Sequence, residues 1–381
     1  MRPSRRNILA LIGGGVILAA GAGAASIATR QPRTALLPWD MAGLDAEPRR
    51  RALSFALLAP NPHNRQPWLV DLSVPDVVTL YADPERLLPH TDPMNRQITI
   101  GLGCFLETMR IAASHGGFRV DITPFPQGED PAGLDNRPVA RAVFTADPAI
   151  IPDPLFAQIP NRRTTKDPFD TTRPVLASAL TPLVATVRHT TAGGSVSETN
   201  TADLRQLTHA ALKIEIETPH TYKESVDLFR IGRAEVDANR DGIDFTGPLF
   251  ETLAATGLMT RQSVLDPTSQ AYKAGLDAVY ANTDTAMGHV WLVSSTNTRA
   301  DQIATGADWV RMNLAATGLG LGIQPLSQAL QEYPEMAAPY AAIHARLAPE
   351  GGTVQMLARI GYADLPKPSP RWPLDTRIIH A

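Results

Sequence analysis

Two stretches of this chain carry the same alternation of apolar and polar positions, 203 residues apart. In the first, Leu106, Met109 and Ala113 recur at spacings of three and four, Gly117 breaks the run, and apolar text resumes at Val120. That spacing predicts a helix with one buried face, followed by a strand. The same order returns at Trp309, Met312 and Ala316, with Gly320 and Ile323 behind them. Aligned over 103–120 and 306–323, five of 18 positions are identical: Gly103/Gly306, Met109/Met312, Ala112/Ala315, Ala113/Ala316 and Gly117/Gly320. A long helix repeated once per half predicts two similar halves packed across a pseudo-twofold axis.

Around this repeat, helical and extended patterns alternate, which points to an α+β fold. The run 77–81 reads as a strand, 103–113 as a helix, and 59–68, with three prolines and two asparagines, as a turn-rich loop. Residues 29–48 look like an irregular lead-in. Helical patterns around 226–236, 249–258 and 269–281 fall in a stretch, 222–285, with no first-half counterpart of this length. It reads as a lid-like insertion, of the kind that covers a site. The expected organisation is a first half over 29–150 and a second half over 151–375 that carries the insertion.

Apolar residues make up 44% and charged residues 19%, an ordinary globular balance. The net charge is −3, and removing Arg2, Arg5 and Arg6 leaves about −6 for the body, which argues against nucleic acid as a partner. The single cysteine, Cys104, rules out an intramolecular disulfide and a CxxC metal site. At the amino terminus Arg5-Arg6 precedes a Gly- and Ala-rich apolar run, the layout of an export signal over 1–28, with the arginine pair of the twin-arginine class. An uncleaved membrane anchor is the alternative. The twin-arginine translocation machinery carries folded, cofactor-loaded proteins, so the expected destination is periplasmic or extracytoplasmic.

No HExxH, GxSxG, Walker or strand-opening GxGxxG pattern is present. Four other segments carry chemistry. In Pro60-Asn61-Pro62-His63-Asn64-Arg65-Gln66-Pro67-Trp68, prolines stiffen a loop whose amides both donate and accept, matching a heterocyclic edge; an Asx-type structural turn is the plain alternative. In Arg162-Arg163-Thr164, two guanidinium forks beside a hydroxyl suit a phosphate monoester, though such runs are also ordinary solvated surface. Alternating glycines through Gly322, ahead of Gln324, Pro325 and Leu326, would let backbone approach a flat ligand, or equally pack helix on strand. Arg371, near the carboxyl end, could reach a second phosphate oxygen.

Together these segments resemble the FMN-dependent nitroreductases, whose loop A-P-S-x-x-N-x-Q-P-W is matched by Ala59-Pro60, Asn64 and Gln66-Pro67-Trp68, with Asn61 in place of the serine. The likeness extends over 45–375 and is nearest to an actinobacterial, Acg-like branch in which two halves are fused. It implies one FMN per chain, because residues 218–222 lack the asparagines and the first half has no clear copy of Arg162-Arg163-Thr164. Pro60, Asn61, Pro62, Asn64 and Gln66 would lie by the ring. Gly322, Gln324, Pro325 and Leu326 would lie under it, and Arg162, Arg163, Thr164 and Arg371 would hold the phosphate. No side chain need act as an acid or base. The resemblance implies a nitroreductase-like fold in a monomeric pseudo-dimer, and electron transfer from NAD(P)H or another donor to a nitro or quinone-type small aromatic acceptor. It also implies an alternative, a flavin-sequestering protein whose lid lies over FMN without turnover.

Overall fold

The computed structural model describes residues 31–381, so the export segment at 1–28 lies outside the described residues. The amino-terminal region contributes α1 (Leu37–Met41), α2 (Pro48–Ala56), β1 (Trp68–Asp71), β2 (Val77–Ala82), α3 (Arg96–His115), β3 (Phe118–Pro124) and β4 (Ala140–Ala146). After a loop of short turns come α4 (Leu180–Val184), β5 (Thr191–Ser195) and α5 (Glu198–Glu217). Then come α6 (Pro219–Asp227), β6 (Phe229–Ile231), α7 (Arg233–Ala238), β7 (Ile243–Phe245), α8 (Pro248–Ala255), α9 (Arg261–Leu265) and α10 (Gln270–Asp284), most of which fall in the stretch 222–285. The chain closes with β8 (Gly288–Ser294), α11 (Arg299–Gly318), β9 (Gly322–Pro325), α12 (Ala337–Leu347), β10 (Thr353–Gly361) and β11 (Ile378–His380). Among the described residues no helix is long and apolar enough to cross a membrane.

The two larger sheets share one arrangement. In β11-β1-β2-β4-β3, the last three strands and helix α3 run strand, long helix, strand, strand, with antiparallel pairing throughout that trio. In β5-β8-β10-β9 the trio β8, β10 and β9 repeats that order around α11. The helices α3 and α11 end alike: Gly117 and Gly320 both take left-handed φ, +79° and +67°, which stops each helix and turns the chain into its strand.

Helices α3 and α11 cross in the middle of the molecule, and glycine sets how close they come. A side-chain carbon on Gly103 would collide with the Ile303 carbonyl, and one on Gly306 would collide with the Ile100 carbonyl. Ile100 and Ile303 are themselves 203 apart, so the contact is reciprocal, as an interface across a twofold axis requires. Leu106, Met109, Trp309 and Met312 are buried around this crossing, and Trp68 stacks on Phe105 with 4.8 Å between rings. Each such side chain contributes about 1.5–3 kcal/mol through burial.

Three expectations need correcting. The helical pattern at 226–236 is interrupted, because Gly232 at φ +82° and strand β6 separate α6 from α7. The lead-in 29–48 contains α1 and the start of α2. The first-half sheet is not closed by residues 29–150 alone, since β11, beyond residue 375, pairs parallel with β1 through Val70 and Ile378.

Candidate functional site

The loop between α2 and β1 is held in an unusual backbone shape. His63, Asn64 and Gln66 have φ of +46°, +52° and +52°, a region that costs non-glycine residues about 1–3 kcal/mol each. Side-chain amides offset that strain. The Asn61 carbonyl oxygen accepts from the Gln66 backbone N–H at 2.7 Å, and its amide donates to the Ala59 carbonyl at 3.2 Å. Gln66, fully buried, donates to the Arg240 carbonyl at 2.6 Å and accepts from the Trp372 backbone N–H at 2.8 Å. Asn64 donates to the Pro370 carbonyl at 3.0 Å and accepts from Arg371. The structural-turn alternative therefore describes these amides, which fasten the loop instead of facing outward. Pro62 and Asn61 pack against the position of Gly101 on α3, and Pro60 is buried.

Three arginines from two distant parts of the sequence, the adjacent Arg162 and Arg163 and the later Arg371, converge beside this loop. Arg162 donates to the Leu58 carbonyl at 3.1 Å, and Arg371 reaches the Leu57, Leu58 and Ala59 carbonyls at the end of α2. Arg163 donates to the Pro160 and Arg162 carbonyls, and its guanidinium lies 4.3 Å from the Trp39 ring centroid. Arg371 flanks the same ring at 5.5 Å, and the Trp39 indole donates to the Ser369 carbonyl at 2.8 Å. Burial pushes Arg162 down to about 10 and Arg371 to about 9, and each is further depressed by its arginine neighbours. The Asp244 charge acts on Arg371 in the opposite direction. Two buried nitrogens of this group, Arg162 Nη1 and Arg163 Nε, have no hydrogen-bond partner. Buried cations without paired carboxylates are costly, and a dianionic ligand would supply the missing acceptors. Thr164 stands half-buried beside them.

The run continues along the second sheet. The Thr165 backbone N–H donates to the Ile323 carbonyl at 3.0 Å, which zips the arginine loop to β9. Gly322 turns out to serve packing. A side chain there would stand 2.7 Å from the Phe169 ring and 3.0 Å from the Thr165 hydroxyl, so protein fills the space expected to admit a flat ligand. Gln324 accepts from Arg359 Nε at 2.6 Å, Pro325 pairs with Ala358, and the Leu326 N–H donates to the Leu357 carbonyl at 2.8 Å with its side chain buried.

The stretch 222–285 reaches this site through residues 237–242. Asp241 forms ion pairs with Arg65, with Arg86 at 3.1 Å and with Arg230 at 2.9 Å. The Gly242 N–H donates to the Asn64 carbonyl at 3.3 Å, and Asp237 accepts from the backbone N–H groups of Arg33, Thr34 and Ala35. His63 lies between the two regions. Burial, Lys166 and Arg65 push it down to about 4, so it is neutral at physiological pH.

Sequence reasoning missed Trp39, His63, Asp241 and Arg359. His63 sits inside the recognised loop, and its position between two asparagines was an available signal. The others meet most of their partners far away in sequence, Trp39 at Ser369, Asp241 at Arg65 and Arg359 at Thr165, and leave no local pattern. A separate cleft of about 450 Å³ lies along the far end of α3. Its Arg311 is already paired with Glu107 and Asp153, at 2.8 and 2.7 Å. Among the described residues, no group of three or more His, Cys, Asp or Glu side chains could hold a metal ion.

No family model matches the chain. It is 27% identical over 330 residues to a provisionally named NAD(P)H nitroreductase of Mycobacterium tuberculosis, Rv3131, covering 84% of this chain and 87% of that protein. Acg, a second provisionally named NAD(P)H nitroreductase of that organism, is 31% identical over 98 residues, 26% of this chain and 29% of its own. Among solved structures, the FMN-dependent nitroreductase NfnB of Mycobacterium smegmatis in complex with NADPH aligns with 57% of this chain and 94% of its own, at 18% identity and a TM-score of 0.35. A provisionally named nitroreductase of Anabaena variabilis aligns with 89% and 91%, at 10% identity and a TM-score of 0.44. This chain is thus an α+β protein similar, over most of its length, to a protein named as an NAD(P)H nitroreductase.

Proposed function

We propose that this chain is a nitroreductase-type oxidoreductase that binds one FMN and passes electrons from NAD(P)H or another donor to a nitro or quinone-type small aromatic acceptor. The observation that carries the reading is the convergence of Arg162, Arg163 and Arg371, whose side chains bond to main-chain carbonyls and the Asn64 amide while two of their buried nitrogens stay unsatisfied. These arginines, with Thr164, would hold the phosphate by charge-assisted bonds. Bound there, FMN supplies two-electron transfer between donor and acceptor.

The protein's own part is to bind and orient. The main chain of Gln324, Pro325 and Leu326 would support the ring, and the strained loop from Pro60 through Gln66 would wall it in. Asn61, Asn64 and Gln66 act by fixing that loop's shape. The repeated strand–helix–strand–strand order, the reciprocal glycine contact and the matched helix ends support a pseudo-dimer of two halves within one monomeric chain. Export by the twin-arginine machinery to a periplasmic or extracytoplasmic location belongs to the same proposal and rests on the sequence of residues 1–28.

One observation favours a second reading, flavin sequestration without turnover. The insertion is fastened onto the FMN loop by Asp241, Gln66 and Gly242, and that lid would exclude a donor. Anaerobic addition of NADPH or NADH to the flavin-loaded protein separates the two. Rapid bleaching, reversed by a nitroaromatic or quinone, supports the enzyme. Flavin that stays oxidised with pyridine nucleotide yet is reduced by dithionite supports sequestration. Protein that binds no FMN overturns both.

A further inference from the structure

Arg359 has no place in the phosphate grip, yet it is a buried cation tied to both the arginine loop and β9. It stands in β10 directly opposite Gln324 of β9 on one side and His289 of β8 on the other, and it is fully buried. Its Nε donates to the Gln324 side-chain oxygen at 2.6 Å, and its Nη2 donates to the Thr165 and Asp167 carbonyls at 3.1 and 2.8 Å. The guanidinium lies 4.0 Å from the Phe169 ring centroid, the ring that packs against Gly322. Nη1 has no partner, and the charge of Asp167 acts against the effect of burial on the group. His289, its buried neighbour, contributes no negative charge and has both ring nitrogens unpartnered.

We propose that Arg359 is a positioning residue of the flavin site, clamping the arginine loop to the strand under the ring and setting the reduction potential through its buried charge. The proposal rests on the FMN reading above. Two physical effects combine in one side chain. A planar fork that binds Gln324 and two carbonyls of 165–167 makes the loop from Arg162 and the strand from Gly322 move as one piece. A fixed positive charge in a poorly solvated place favours whichever state of a neighbouring ligand carries more negative charge, and the reduced ring carries more than the oxidised one. Lysine would keep the charge and lose the fork; glutamine would lose both.

The test is the FMN dissociation constant and the midpoint potential of the bound flavin in the full chain, for wild type, Arg359→Gln and Arg359→Lys. Arg359→Gln is expected to weaken binding of the reduced form about tenfold more than binding of the oxidised form, which for a two-electron couple lowers the potential by about 30 mV. Arg359→Lys is expected to bind oxidised FMN more weakly than wild type, with the potential nearly unchanged. If Arg359→Gln weakens both forms equally and leaves the potential in place, Arg359 is structural only and the proposal fails. Should Arg359→Gln not fold, wild-type FMN affinity in Arg359→Lys overturns the clamp on its own. Wild-type protein that binds no FMN removes the FMN reading itself, a result distinct from either.

Discussion

Two arginine clusters lie next to each other in this molecule, each built around a tryptophan, and they differ in what neutralises them. Around Trp39 stand Arg163 and Arg371, with Arg162 beside them, and their hydrogen bonds end on main-chain carbonyls and the Asn64 amide. Around Trp372 stand Arg86, Arg240 and Arg377, at 5.4, 5.8 and 5.7 Å, and Asp83 and Asp241 close that cluster with five ion pairs that also take in Arg65 and Arg230. Adjacent residues, 371 and 372, belong to opposite clusters. Arginine count therefore does not identify an anion site; the carboxylates around it do. A cluster that has its own acids is a fastening. One whose buried nitrogens are left unsatisfied, with Asp244 acting on Arg371, is built for an anion that arrives from outside.

The fastening gives the largest expected effect. Asp241→Asn removes the partner of Arg65, Arg86 and Arg230 and leaves their charges buried, a loss of about 3–5 kcal/mol in unfolding free energy, read by chemical denaturation. If the insertion blocks access, the same variant reduces faster with NADPH. An unchanged stability would mean that the two clusters do not differ as described.

In the open cluster, Arg162→Gln is expected to weaken FMN binding on the order of 100-fold, the equivalent of about 2.8 kcal/mol, because one charge-assisted fork is lost. Folding should suffer little, since the variant also relieves repulsion with Arg163 and Arg371. Fluorescence titration of apoprotein with FMN checks it. If Arg162→Gln weakens FMN no more than a substitution at solvent-exposed Arg119 does, the cluster is not a phosphate grip.

A smaller effect concerns the frame that brings the halves together. Gly103→Ala puts a methyl group against the Ile303 carbonyl and forces α3 and α11 apart, a cost of about 1–3 kcal/mol. Gly306→Ala should cost a similar amount, because the contact is reciprocal. Thermal unfolding of the two variants checks this, and a large difference between them would argue against twofold packing.

The smallest is a pH effect at His63, which lies between the clusters. Its folded-state value is depressed to about 4 from 6.5, so its contribution to stability is complete above pH 6.5 and is lost as pH falls toward 4. Protonation adds a cation beside Lys166 and Arg65. His63→Gln should flatten the acid limb of the stability profile between those values; an unchanged limb would place the titration elsewhere.

These contrasts also explain what the sequence could reveal. Arg162 and Arg163 were legible because they sit in one short run, and Gly103 and Gly306 because their helices keep a common spacing. The Asn-x-Gln-Pro-Trp loop was legible as a motif, whereas the inward direction of its amides was not, since their partners Arg240, Pro370 and Trp372 lie more than 170 residues away. The packing role of Gly322 depended on Phe169 folding back onto it. The carboxylates of one cluster and their scarcity in the other are tertiary facts, and so is the clamp at Arg359. Strand β11, joining the first sheet from the far end of the chain, left only three residues of pattern.

The most direct test of the central claim compares FMN with riboflavin, which has the same ring and no phosphate. Both are titrated into apoprotein, and the stoichiometry and dissociation constants are measured. The account predicts one FMN per chain and riboflavin bound at least about 100-fold more weakly, because the open arginine cluster would then have no anion to hold. Equal affinity for the two, or no binding of FMN, would contradict it.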